Sequence, residues 1–110
     1  MKKTLIIDGK EVSFKATAST TIRYRKKFGC DLIKDLNKLK DINGNEISSE
    51  VLEIFAKFAY IMAKQADETI PEDMWDWLDG FEVFSYEEVY TEIMDLWAES
   101  LGTTVEIKKA

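Results

Sequence analysis

The stretch TLIIDGKEVSFKATASTTIRYRKKFGCDL, residues 4–32, decides the fold. Asp8-Gly9 separates two short runs of alternating apolar and polar residues. Such a pair supplies the positive φ angles of a two-residue hairpin turn, so 1–17 is expected to form a β-hairpin. Pairing across that turn places Leu5, Ile7, Val12, Phe14 and Ala16 on one face, and Thr4, Ile6, Glu11, Ser13 and Lys15 on the other. A lone hairpin is marginal in water, so its apolar face must rest on helices.

The residues after the hairpin supply those helices. Ser19 or Thr20 is placed to cap a helix over 20–28, and Gly29 suits the left-handed position that ends it. Arg23, Arg25, Lys26 and Lys27 crowd around Tyr24. Positive charge in the last turn complements the helix dipole, which gives the cluster a structural explanation beside a nucleic-acid one. Asp31 then caps a second helix that puts Leu32, Leu36 and Leu39 on one side. Phe28 and Leu36 are expected in the core.

Outward from this corner, Ser48 or Ser49 opens the longest helix, about 50–66. Its apolar residues cover nearly the whole circumference and leave Glu53, Lys57 and Lys64 as the polar stripe, the pattern of a central helix. Pro71 suits the first turn of a short helix ending near Gly80, with Met74, Trp75 and Leu78 on one face and Trp77 off it. Ser85 with Glu88 forms a capping-box pattern, and Phe84 with Val89 a hydrophobic staple, before a last helix. That helix carries Tyr86, Val89, Tyr90, Ile93, Met94, Trp97 and Leu101 at the helical period, and Gly102 stops it. The expected fold is α+β: one mostly helical domain over 1–110, with an N-terminal hairpin (1–17) packed on four or five helices (18–102) and an alternating tail, 103–110.

Composition narrows the function. The 110 residues are 45% hydrophobic and 12% aromatic, enough for a core. One cysteine, Cys30, excludes an internal disulfide, and the absence of histidine removes the commonest general base and metal ligand. The carboxylates read as helix exteriors, so no catalytic residue is assigned and no cofactor is expected. In DINGNEISSE (41–50), Asp41, Asn43 and Asn45 alternate as in a calcium loop. The sixth and twelfth positions are Glu46 and Leu52, where an EF-hand needs Gly and Glu, so no metal site is assigned. The start MKKTLIIDGK has too short an apolar run for a secretory signal, and no span suits a bilayer. Residues 1–40 hold 11 Lys/Arg against 4 Asp/Glu, a net of +7, whereas 41–110 hold 4 against 17, a net of −13. From Asp67 to Glu99 there is no basic side chain. A chain so divided suits a charged partner or its own copies, basic half to acidic half.

The order of these signals resembles the tail assembly chaperones of long-tailed siphophages and of prophages of Gram-positive bacteria. The likeness covers residues 5–99. It rests on IDGKEVSFKAT, on RYRKKFGCDLIKDL, on AKQAD at the end of the central helix, and on MWDWLDGF before an acidic last helix. The resemblance implies a non-enzymatic protein of the bacterial host cytoplasm. It would bind the tape-measure protein, keep it soluble while the tail tube assembles, and be absent from the mature virion. Many such chaperones also exist as a longer frameshifted product. Trp77, Phe81, Phe84 and Trp97 are the candidate partner-binding residues, because aromatic side chains favour interfaces and Trp77 is the tryptophan the core claims least. The alternative is a small intracellular adaptor or regulatory module that binds a folded protein, or DNA through residues 23–27.

Overall fold

Strands β1 (Lys2–Ile7) and β2 (Lys10–Lys15) pair antiparallel, with Ile7 opposite Lys10 and Leu5 opposite Val12. This computed structural model of the chain describes residues 1–40 and 48–101. The turn takes φ of 54° at Asp8 and 72° at Gly9, as the Asp-Gly pair requires. Register then sets the faces. Ile7, Val12, Phe14 and Ala16 are buried and Leu5 is half-buried, while Ile6, on the opposite face, is 67% exposed. Ala16 closes the open end by exchanging backbone hydrogen bonds with Met1.

Helix α1 (Thr20–Phe28) ends at Gly29, whose φ of 69° places it in the left-handed region while its N–H bonds the Arg25 carbonyl. At the start, Ser19 holds the N-cap position without a side-chain cap bond. Thr17, Thr20 and Gln65 instead form a polar bridge to the third helix: Thr20 Oγ1 donates to Gln65 Oε1 at 2.7 Å, and Gln65 Nε2 donates to Thr17 Oγ1 at 2.8 Å. Asp31 caps α2 (Leu32–Lys40) by accepting from the Ile33 and Lys34 amides. Leu32 and Leu36 are buried as expected, but Phe28 is only half-buried, edge-on to Tyr24 and Tyr60.

Helix α3 (Ser49–Ala66) starts on Ser48, whose hydroxyl accepts from the Val51 amide, and every residue from Ile54 to Ala63 is buried. It touches β2, α1, α2, α4 (Met74–Asp79) and α5 (Tyr86–Ser100). Pro71 does not begin α4 as the sequence suggests. Asp73 caps it instead, accepting from the Trp75 amide at 2.7 Å, and the Pro71 carbonyl accepts the Tyr60 hydroxyl. Ser85 precedes α5 but makes no side-chain cap bond, so the expected capping box does not close. The buried stripe of α5 is Val89, Ile93, Leu96 and Trp97, narrower than the apolar period suggests, and Leu101 is exposed. The fold is α+β, with hairpin and helices sharing one core around α3. Residues 41–47 and 102–110, which carry the calcium-like loop and the tail, lie outside the described residues.

The two faces of the hairpin should respond oppositely to truncation. Phe14→Ala is expected to cost about 3–5 kcal/mol, and Ile6→Ala less than about 0.5 kcal/mol, in chemical unfolding. Equal costs would mean the hairpin register is wrong.

Candidate protein-binding surface

The four residues singled out from the sequence divide into two layers. Trp77 is 6% exposed and Trp97 is 9% exposed, so both belong to the core. Trp77 meets Tyr60, Phe81 and Phe84 edge-on, at centroid distances of 5.7, 5.4 and 5.9 Å. Trp97 packs edge-on against Phe58. The expectation that Trp77 lies away from the core is therefore corrected. On a helix of six residues two apolar faces compete. Met74, Trp77, Leu78 and Phe81 follow the i, i+3, i+4, i+7 spacing and win the inner side. Trp75 is left 64% exposed.

Phe81 and Phe84 are half-buried and form the outer layer. They flank the turn between α4 and α5, with Val83 between them 66% exposed. The hairpin clamps this turn. Lys10 lies 5.4 Å from the Phe81 ring and donates to the Gly80 carbonyl, and Asp8 Oδ2 accepts from the Glu82 amide at 3.0 Å. The Phe81–Phe84 pair is thus held in place rather than left free to collapse.

Exposed apolar side chains recur in charge-bordered grooves. Between α1 and α2, Ile22 and Ile33 share a groove with Arg25 and Lys26. Trp75 borders a second groove with Lys27, Phe28 and Glu53. Val83 and Ile6 border a third, between β1 and α5, with Glu87 and Glu88. Three of the four cations in the basic cluster gather in one cleft. Arg23, Lys26 and Lys27 converge with Lys64 and Gln65 on one cleft floored by Tyr60 and Ile61. Lys64 pairs with Glu72 at 2.9 Å across it, and that pairing lowers the pKa of the Glu72 carboxyl.

One cluster escaped the sequence reading. Lys57 and Asp35 are both buried, 3.5 Å apart, and the Tyr24 hydroxyl donates to Asp35 Oδ2 at 2.7 Å. The Lys57 ammonium also lies 5.6 Å from the Tyr24 ring and 5.8 Å from the Phe28 ring. Neither residue therefore belongs to the solvated surface assigned to it. Signals for both were present. Asp35 falls on the stripe Leu32, Leu36, Leu39, and a carboxylate on an apolar face needs a buried cation. Burial first, then the bond to Asp35, hold Tyr24 ionisation well above the ordinary value of 10.0. The phenol therefore stays protonated as a donor, and all three groups are satisfied, which accounts for the cluster as a structural tie between α1, α2 and α3.

Among the described residues, no group of three or more Cys, Asp or Glu side chains is placed to hold a metal ion, and no helix is long and apolar enough to cross a membrane. Comparison of the chain with protein-family models, with curated proteins and with solved structures finds no match in any of the three.

Removing one member of the tie should be worse than removing all of it. Lys57→Met is expected to cost about 3–5 kcal/mol because it leaves the buried Asp35 charge to the Tyr24 hydroxyl and to the exposed Lys38 ammonium 3.9 Å away. The triple change Tyr24→Phe, Asp35→Leu, Lys57→Met should recover most of that loss in denaturant titrations. The folded chain also keeps the Tyr24 proton where the unfolded chain loses it. Its contribution is complete below pH 10.0 and is lost as pH rises further. Tyr24→Phe should flatten that alkaline decline, and an unchanged slope would remove Tyr24 as its source.

Proposed function

We propose that this chain is a non-enzymatic phage tail assembly chaperone that binds the tape-measure protein and keeps it soluble in the host cytoplasm. The resemblance of residues 5–99 points there. The observation that best supports it is the set of apolar side chains left exposed in charged grooves on separate elements: Ile22 and Ile33, Trp75, and Val83 beside Phe81 and Phe84. A protein that holds a long helical chain needs apolar anchors for grip and charge around them for solubility. Phe81 and Phe84 remain contact residues in this reading. Trp77 becomes the buried floor behind them, Trp97 stays a core residue packed on Phe58, and Trp75 takes the place of Trp77 as the accessible tryptophan.

The division of charge supports self-association as well, basic half against acidic half of the next copy, weakening as salt is added. The basic cleft of Arg23, Lys26, Lys27 and Lys64 favours a second reading, an adaptor that receives an acidic group of a folded partner. DNA binding through residues 23–27 is the weaker form of that reading on a chain of net charge −6.

Co-expression with the product of a neighbouring long, helix-rich gene tests the proposal. A soluble complex is expected. Trp75→Ala should leave stability within about 0.5 kcal/mol yet reduce capture, whereas Trp77→Ala should cost about 3–5 kcal/mol of stability. If the long chain stays insoluble beside folded wild-type protein, the chaperone reading fails. Arg25→Gln with Lys26→Gln should reveal no loss of DNA affinity, and salt-sensitive, submicromolar DNA binding by the wild type would favour the adaptor class.

A further inference from the structure

Trp75 is the largest apolar side chain left exposed among the described residues, and acids flank it in sequence. Glu72, Asp76 and Asp79 are all exposed, and neither Asp76 nor Asp79 makes an ion pair among the described residues. The two cations in the groove that Trp75 borders are already engaged: Lys27 donates to the Glu72 carbonyl, and Lys57 pairs with Asp35. Helix α4 therefore presents an aromatic knob with negative charge around it. The groove between α1 and α2 has the opposite character. It measures ≈ 500 Å³, and its apolar lining is Leu32 with the exposed Ile22 and Ile33. Arg25 and Lys26 border it without an ion pair among the described residues, and its one acid, Asp31, is held by the Ile33 and Lys34 amides. Knob and hole do not meet within one chain. Ile22, Arg25 and Lys26 line the hole, whereas Lys27 and Phe28 line the groove of Trp75, so α1 stands between them.

We propose that Trp75 of one copy seats in the α1–α2 groove of the next, with Asp76 and Asp79 facing Arg25 and Lys26. The contact rests on the self-association reading above and names its two surfaces. The match is double. Apolar knob meets apolar hole, and an acidic surround meets a basic one. A tryptophan in an apolar pocket inside a charged rim is the arrangement that concentrates binding energy, and the charges set which surfaces meet. Because knob and hole lie on different elements, the contact is heterologous. Each pair of copies keeps one knob and one hole unused, so a third copy can add to it.

Sedimentation velocity on the full-length protein alone tests the contact. The wild-type mass should rise with concentration, and the rise should shrink in high salt. Trp75→Ala, and separately Ile22→Asp/Ile33→Asp, should weaken association about tenfold or more. Both should keep the wild-type circular dichroism, since the replaced side chains are exposed. Mixed in equal amounts, these two variants should form a dimer and nothing larger, because one working knob and one working hole remain between them. Arg25→Glu/Lys26→Glu should also fail to associate alone and should regain association when mixed with Asp76→Lys/Asp79→Lys. A wild type that stays monomeric up to about 1 mM defeats the self-association reading and this contact together. A wild type that associates beside variants that associate equally well, or beside a variant mixture that does not pair, overturns this contact alone. Tape-measure capture enters neither outcome.

Discussion

Helix α3 cannot be left with a wet side. Ten consecutive residues, Ile54 to Ala63, are buried, so every other element must supply cover. The hairpin lays its apolar face on it, and α1, α2, α4 and α5 take the remaining directions. This demand explains why so small a chain uses its aromatic residues inward. Tyr24, Phe58 and Tyr60 are fully enclosed, and Trp77 and Trp97 close the ends of the same core. It also explains the buried tie. Covering the helix on most sides leaves Lys57 little water, so the neighbouring α2 brings Asp35 to it and α1 brings Tyr24. Such a pair adds little net stability over an apolar replacement, but it fixes which face of α2 meets α3.

Much of this was legible in the sequence wherever a backbone requirement singled out a residue type. Asp8-Gly9 marked the hairpin and its faces, Gly29 the end of α1, and Asp31 and Ser48 the starts of α2 and α3. What the sequence hid was competition between equally good local choices. Asp73 and Pro71 both begin helices, and the side-chain bond of Asp73 to the Trp75 amide decided between them. The same contest hid the candidate site. Trp75 and Trp77 both belong to apolar faces of a helix too short to show a period. Only packing against Tyr60 and Phe81 reveals which one is inside. Lys57 looked like the polar stripe of α3 because the pattern of a single helix cannot say that a second helix will cover it.

Charge segregation, conspicuous in the sequence, acquires a structural meaning in three dimensions. The acidic second half has no cation of its own between Asp67 and Glu99, so its compensation must come from elsewhere in the fold. The hairpin supplies part of it. Lys3 pairs with Glu92 on α5, and Lys10 reaches the Gly80 carbonyl and the Phe81 ring. Each contact is exposed, and water screens it. Their common effect is positional, because they hold the first element of the chain against the last helix and keep the β1 edge facing Glu87 and Glu88. Four other cations, Arg23, Lys26, Lys27 and Lys64, line one cleft with a single acid, Glu72. Among the described residues, the molecule therefore has an acidic groove beside the β1 edge that β2 leaves unpaired, and a basic cleft between α1 and α3. Both follow from one choice in the sequence, to place most of the lysines and arginines before residue 41 and most of the acids after it.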